Sequence, residues 1–170
     1  MLTRVQVSLH TENMNRKPPG DTMPSDDSTP DSLPEDWRRV LAHRVASGAD
    51  VTALIARYSE CGITPDQVGE VLMDGGDGLY AAATSGEPDW ADRFGGPLGA
   101  ALLAAEVSAF ASHLNTRASG VRSVAVDALL EDYSAITVAG ELGVSRQKVY
   151  EIARSGLRGP HLQYVPWRQT

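Results

Sequence analysis

Polar side chains between positions 145 and 154 recur at spacings that place them on one side of a helix. They are Arg146, Gln147, Tyr150, Glu151 and Arg154. A guanidinium donates two parallel hydrogen bonds, which the major-groove edge of guanine accepts, and a carboxamide matches adenine in the same way. We therefore expect Arg146 and Gln147 to reach base edges first. A carboxylate such as Glu151 can accept from a cytosine amino group.

Three further residues are suited to contacting phosphate. Ser145 precedes the helix, where a side-chain oxygen caps the first turn and the free backbone N–H groups favour an anion. Lys148 points to the side of the base-facing residues, and Thr137 lies near the start of the preceding helix. Arg158 follows the helix and can reach a minor groove, or else belongs to a solvated loop.

The segment from Ala135 to Arg154, AITVAGELGVSRQKVYEIAR, has the apolar pattern of two short helices joined by a tight turn. Gly143 lies at the turn, where a residue without a Cβ tolerates a left-handed conformation. Ala139 allows the helices to approach closely. The other predicted packing positions are Val138, Leu142, Val144, Val149 and Ile152.

A third helix, Arg117 to Asp132, precedes this pair. Its apolar residues, at spacings of three, four and seven, are predicted to pack across the other two helices. They are Val126, Leu129, Leu130 and Tyr133.

The stretch GVSRQKVYEIA resembles the turn and recognition helix of bacterial helix-turn-helix domains. It is especially similar to those of Hin-type recombinases, resolvases and sigma-factor-like regulators. The resemblance covers roughly residues 120–156, about a fifth of the chain, and implies DNA binding without indicating a subfamily. The N-terminal two-thirds resembles no family that we recognise and shows no recombinase catalytic domain.

The charge distribution favours the same segment. The net charge is −7, but residues 1–133 contain 10 basic and 20 acidic residues, whereas residues 134–170 contain five basic and two acidic ones. The positive charge is therefore concentrated where phosphate contacts are expected. An acidic body would orient the protein on DNA and limit non-specific affinity.

The whole pattern predicts an all-α protein, with an N-terminal helical bundle followed by a tri-helical helix-turn-helix domain. Residues 1–31 are polar and Pro-rich and are predicted to be a disordered tail. Residues 32–116 form a helical domain, 117–160 the helix-turn-helix domain and 161–170 a C-terminal tail. Within the helical domain we expect helices over 32–46, 51–60, 64–73 and 97–115, with a surface loop over 74–97 that contains single helical turns.

The helix over 97–115 has a wide apolar surface. Leu103, Val107, Phe110 and Leu114 recur at spacings of four, three and four. Such a surface is typical of a central core helix, or of a helix that pairs with a second copy of the chain. One helix-turn-helix makes few phosphate contacts, and such proteins usually read two half-sites as dimers. We therefore expect a homodimer, with 97–115 as the candidate interface.

Two other patterns resemble functional motifs but lack residues that those motifs require. The spacing of residues 51–72 also fits a helix-turn-helix, but bulky Tyr58 occupies the small-residue position and the second helix is acidic. The DGGDG run from Asp74 resembles part of a calcium loop, but Ser85 occupies the twelfth position, where such loops have a bidentate Glu. We predict no metal and no cofactor.

Enzyme function is not expected either. The sequence shows no His/Cys metal spacing, no nucleophile elbow and no phosphate-binding Gly loop. The single cysteine, Cys61, fits a reducing cytoplasm, and no segment has the pattern of a signal peptide or a membrane span.

The predicted function is sequence-specific binding to double-stranded DNA, most simply by a small bacterial, phage or plasmid transcriptional regulator. One alternative is a plasmid replication or partition accessory factor, or an antitoxin. Another is a protein-interaction module that uses the same fold without binding DNA.

Overall fold

The computed structural model describes residues 33–157. The predicted tails, 1–31 and 161–170, and Arg158 lie outside the described residues. Within 33–157 the chain is helical without strands, which confirms the all-α class for this part. Its α-helices are α1 (Glu35–Val40), α2 (Ala42–Ala46), α3 (Val51–Glu60), α4 (Pro65–Met73), α5 (Asp77–Thr84), α6 (Gly96–Asp132), α7 (Ala135–Leu142) and α8 (Arg146–Ser155).

Local capping signals set several of these boundaries. Asp50 accepts a hydrogen bond from the Ala53 N–H and opens α3. Thr64 and Gln67 form a complete capping box at the start of α4, where Pro65 occupies the first helical position. These two helices therefore begin where the sequence predicts.

Two N-terminal elements differ from expectation. The single helix predicted over 32–46 is divided at Leu41, whose φ of −103° and ψ of 15° interrupt the helical geometry while its side chain is fully buried. The loop predicted over 74–97 contains the two-turn helix α5. The Asp74 carboxylate stabilises the entry to α5 by accepting the backbone N–H groups of Gly76 and Gly78.

The first hydrophobic core is built by α1–α5 against the N-terminal half of α6. Trp37 and Tyr58 stack at its centre with ring centroids 5.6 Å apart. Leu103 and Phe110 enter it from α6, and the partly buried Trp90 and Phe94 pack against its side. The segment 51–72, whose spacing also fits a helix-turn-helix, thus supplies core side chains, and Tyr58 is among the most deeply buried of them.

The most important correction concerns α6. The sequence predicts separate helices over 97–115 and 117–132, whereas the structure has one helix of 37 residues. Its N-terminal half buries Gly99, Leu103 and Phe110 on one side. Its C-terminal half buries Gly120, Ser123 and Val126, which at about 100° per residue lie on a side rotated by about 140° from the first. The change of apolar side mimics a break between two helices.

By length and composition α6 is also able to cross a membrane, the only such helix among residues 33–157. The sequence pattern predicts no membrane span. A long helix in the core of a globular protein meets the same criteria, and the N-terminal half of α6 is packed in the first core.

Candidate nucleic-acid interface

The two helices α7 and α8 are joined by the three-residue turn 143–145. Gly143 adopts φ 63° and ψ 33°, the left-handed conformation that its position in the sequence predicts. Ser145 caps α8 by accepting the N–H of Lys148 at 3.2 Å. Ser134 caps α7 in the same way through the N–H of Thr137. A glycine turn of this length is typical of a helix-turn-helix.

One side of α8 is buried in a second hydrophobic core, separate from the first. Val149 is fully buried and Ile152 nearly so, and they pack with Val138 and Ala139 of α7 and Val126 of α6. Ala135 completes the buried set, with Leu130, Val144 and Ala153 partly buried against it. This core holds α8 in place by its apolar side.

Three predicted packing residues do not belong to this core. Leu142 is the last residue of α7 and is 37% exposed, because the chain turns away at Gly143 before α8 can cover it. Tyr133 has left the helix with an extended backbone, at φ −125° and ψ 149°, and is exposed. Leu129 is exposed because Val126 and Leu130 take the positions that face α8.

A buried serine that the sequence analysis missed ties α8 to α6. The Ser123 hydroxyl donates to the Ala153 carbonyl at 2.9 Å and accepts the Gly156 N–H at 2.7 Å. It thereby satisfies backbone groups that the end of α8 would leave without partners. Small residues at positions 120 and 123, just before Val126, are the sequence signal that α8 approaches α6 closely here.

The side of α8 opposite the core carries the predicted site residues between positions 146 and 154, whereas Thr137 lies on α7 and Ser145 precedes α8. All of the predicted site residues within the described range are exposed: Thr137, Ser145, Arg146, Gln147, Lys148, Tyr150, Glu151 and Arg154. Gln147 and Arg154 lie near the centre of this face, and Arg146 and Lys148 lie on its two edges, given about 100° per residue. We call this surface the α8 outer face.

Contacts within the α8 outer face arrange its side chains before any ligand is bound. Glu151 accepts from Gln147 Nε2 at 3.1 Å and pairs with Lys148 Nζ at 3.2 Å. The Arg146 guanidinium carbon lies 6.0 Å from the centre of the Tyr150 ring. Each carboxylate oxygen of Glu151 thus accepts one hydrogen bond within the face and can still accept another. The contact between Glu151 and a cytosine amino group therefore stays a prediction.

The structure also contains a buried polar cluster that the sequence analysis did not identify. Glu106 of α6 is fully buried in the first core, with His43 Nε2 at 2.7 Å from its carboxylate. Arg44 donates to both carboxylate oxygens at 3.0–3.1 Å, and the Tyr58 hydroxyl donates at 2.8 Å. Four ionisable groups from three helices therefore meet inside an otherwise apolar core.

Electrostatics within this cluster favour the ionised carboxylate. Burial raises the pKa of Glu106, but hydrogen bonds from His43, Arg44 and Tyr58 outweigh it, so the net pKa lies below the usual value. Burial, followed by the charge of Glu106, raises the pKa of the Tyr58 hydroxyl. Nearby on α6, burial and then His43 and Arg117 lower the pKa of His113. A carboxylate so well satisfied is a structural anchor between α2, α3 and α6.

Two cavities in the described part of the chain lie away from α8. An open cavity of about 440 Å³ lies between α5 and α6, lined by Leu79, Tyr80, Trp90 and Val107. A smaller one of about 220 Å³ borders His43 and His113. Residues 33–157 contain no group of three or more His, Cys, Asp or Glu side chains close enough to hold a metal ion.

Comparison with known proteins gives no relationship on which to rest a function. No family model matches the chain, no curated protein is significantly similar to it, and no solved structure shows a significant match. The observations that bear on function are therefore the geometry of the second core and that of the α8 outer face.

Proposed function

We propose that the protein binds double-stranded DNA sequence-specifically through α8, and that it acts as a small transcriptional regulator. The observation that carries the proposal is the division of α8 into two sides. Val149 and Ile152 anchor one side in the second core, and the other presents Arg146, Gln147 and Arg154 to solvent. A helix held in this way can enter the major groove without losing its packing.

The order of residues along α8 suggests how the contacts are divided. Arg146 and Gln147 occupy the first turn, which enters the groove first in a helix-turn-helix. Their side chains are suited to hydrogen bonds with guanine and adenine, respectively. Lys148 lies at the edge of the outer face, where it would meet phosphate. The helix dipole and the free N–H groups beside Ser145 favour phosphate at the same end.

Glu151 has a supporting part in this proposal. By holding Gln147 and Lys148 it limits the rotamers that those long side chains sample before binding. Less side-chain entropy is then lost when they contact DNA. The carboxylate also keeps the outer face from being uniformly positive, which restrains non-specific phosphate binding.

The test is a gel shift with sequences selected from random DNA by the full chain. Replacing Arg146 and Gln147 together by Ala should abolish binding to the selected sequence while leaving the helical circular dichroism unchanged. The matched control is Arg57→Ala, which removes one exposed arginine from α3 at the same cost in net charge. Equal affinity for the double variant and the control would refute the assignment of α8.

A second function is favoured by one specific observation. The helix-turn-helix exposes apolar side chains besides its polar ones, with Ile136 of α7 71% exposed and Tyr133 and Leu157 also exposed. Single exposed apolar residues are common, but a group on one small unit is typical of a protein-binding surface. A chain that binds no duplex DNA at low salt would support this interaction module instead.

Binding to DNA would not by itself distinguish a regulator from an accessory factor of plasmid replication or partition, or from an antitoxin. All of these would use the same outer face of α8. The location of the selected sequences distinguishes them, because a regulator's sites lie in promoters and an accessory factor's lie at an origin or partition locus.

A further inference from the structure

An uncovered apolar stripe runs along the C-terminal half of α6. Leu114, Ala118, Val121, Ala125 and Ala128 recur at alternating spacings of four and three residues and are all exposed, Val121 by 64%. This is the seven-residue pattern with which two helices pack side by side. We call it the α6 stripe.

The α6 stripe continues the side of α6 that packs in the first core. In the N-terminal half, Leu103 and Phe110 on this side are covered by α1–α5. In the C-terminal half, the second core lies on the opposite side, around Ser123 and Val126. Nothing within residues 33–157 covers the stripe, although its spacing is that of a packed surface.

The flanks of the stripe carry a charge pattern that repeats every seven residues. One edge presents Arg117, Val124 and Glu131, and the other presents Asn115, Arg122 and Leu129. Arg117, Arg122 and Glu131 enter no ion pair among the described residues. In paired helices these edge positions set partner and orientation.

We propose that the α6 stripe is a homodimer interface in which α6 of a second copy packs antiparallel to the first. In a parallel pair, the edge with Arg117 on one helix faces the edge with Arg122 on the other, which would place Arg117 of each copy against Arg122 of the other. In an antiparallel pair, each edge faces the same edge of the second copy. Because Arg117 and Glu131 are equally distant from Val124, each Arg117 would then face Glu131 of the second copy.

This arrangement forms two equivalent ion pairs around a two-fold axis near Val124, as an isologous dimer requires. The same register places Val121 opposite Ala125 and Ala118 opposite Ala128 of the second copy. Each pair thus contains at least one alanine, so the helix axes can approach closely. On the other edge the two Arg122 side chains lie near the two-fold axis and form one like-charge contact. A parallel pair would have two such contacts, each between Arg117 and Arg122.

The proposed surface shares only Leu114 with the apolar pattern of the segment 97–115 that the sequence suggested. Leu103, Val107 and Phe110 of that segment are packed in the first core within the same chain and are not free to dimerise. Their packing does, however, hold α6 in a helical conformation. The stripe is therefore presented without the entropic cost of forming a helix during association.

Light scattering of the full chain over a range of concentrations tests the interface. The mass should rise from 18.1 kDa to twice that value as concentration increases. Val121→Glu should stay monomeric, because it places two carboxylates at the centre of the stripe. The control Val51→Ala lies in the first core, far from the stripe, and should dimerise normally. The proposal would be overturned if the natural chain were monomeric at every concentration. That outcome includes the case in which segments of the chain outside residues 33–157 cover the stripe.

Charge reversal tests the orientation. Arg117→Glu should weaken the antiparallel dimer roughly ten- to thirtyfold, since two surface attractions become two repulsions. Adding Glu131→Arg should restore the affinity. A stronger dimer with Arg117→Glu alone would indicate a parallel pair and overturn the antiparallel proposal. Stable binding to phospholipid vesicles that Val121→Glu abolishes, without a dimer in solution, would identify the stripe as a membrane contact instead and would also overturn it.

Discussion

Replacing Glu106 by Gln should destabilise the protein far more than replacing an exposed glutamate. The carboxylate accepts from Arg44 and Tyr58 and lies 2.7 Å from His43. A carboxamide keeps the shape but has one acceptor oxygen, and its NH₂ group would point at donors. At least one donor group therefore loses its acceptor inside the core.

The magnitude follows from the burial of each partner. Breaking a buried, hydrogen-bonded charge cluster costs about 3–5 kcal/mol. Arg44 reduces this cost because 24% of its side chain reaches solvent and it also donates to the Ala105 carbonyl. We expect Glu106→Gln to lower the free energy of unfolding by about 3 kcal/mol, and Tyr58→Phe, which removes one donor, by about 1 kcal/mol.

The assay is urea denaturation followed by far-UV circular dichroism at neutral pH. Glu70→Gln, an exposed glutamate of α4, is the control and should change stability by less than about 0.5 kcal/mol. If Glu106→Gln and Glu70→Gln proved equally mild, the cluster would not anchor α6, and the reasoning from burial would be wrong.

The pH dependence gives an independent check of the same cluster. Because the folded pKa of Glu106 lies below the ordinary value of 4.5, its carboxylate stabilises the fold fully above that value. This contribution is lost as the pH falls through the lower folded pKa. The free energy of unfolding of the natural chain should therefore fall more on acidification than that of Glu106→Gln, and the two values should converge at acid pH. A constant difference between the two free energies down to the lowest pH would contradict the lowered pKa.

Two further predictions concern the second core. Ser123→Ala should cost about 2 kcal/mol, measured by denaturation, because it leaves the Ala153 carbonyl and the Gly156 N–H without their buried partner. A change no larger than that of the exposed Ser119→Ala would contradict this. Gly143→Ala should cost about 1 kcal/mol, because its φ of 63° is strained for a residue with a Cβ although the space around it is empty. A neutral or stabilising effect would show that the turn adopts a different conformation.

The sequence predicted the parts of the fold that depend on local signals. The starts of the helices over 51–60 and 64–73, the cap at Ser145 and the turn at Gly143 each depend on a few neighbouring residues. The structure has them where the sequence predicts. The exposed positions on α8 follow equally directly, because Val149 and Ile152 define the buried side of a helix.

Features that depend on distant parts of the chain were missed. The side of α6 that is buried changes near position 116 because two different cores meet the same helix, and a local pattern cannot distinguish this from a break. Ser123 acquires its partners only when the end of α8 arrives. Glu106 did leave a signal, since a carboxylate lies on the same stripe as Leu103 and Phe110 and must find partners there.

The measurement that tests the central proposal most directly is the salt dependence of duplex DNA binding, followed by fluorescence anisotropy with the sequences that the full chain selects from random DNA. The observed affinity should fall steeply with salt, and Lys148→Ala should reduce the slope of log affinity against log salt by about one. Arg57→Ala, which removes an arginine from outside the α8 outer face, should leave the slope unchanged. No binding at low salt, or an equal change of slope for the two variants, would contradict DNA binding through α8.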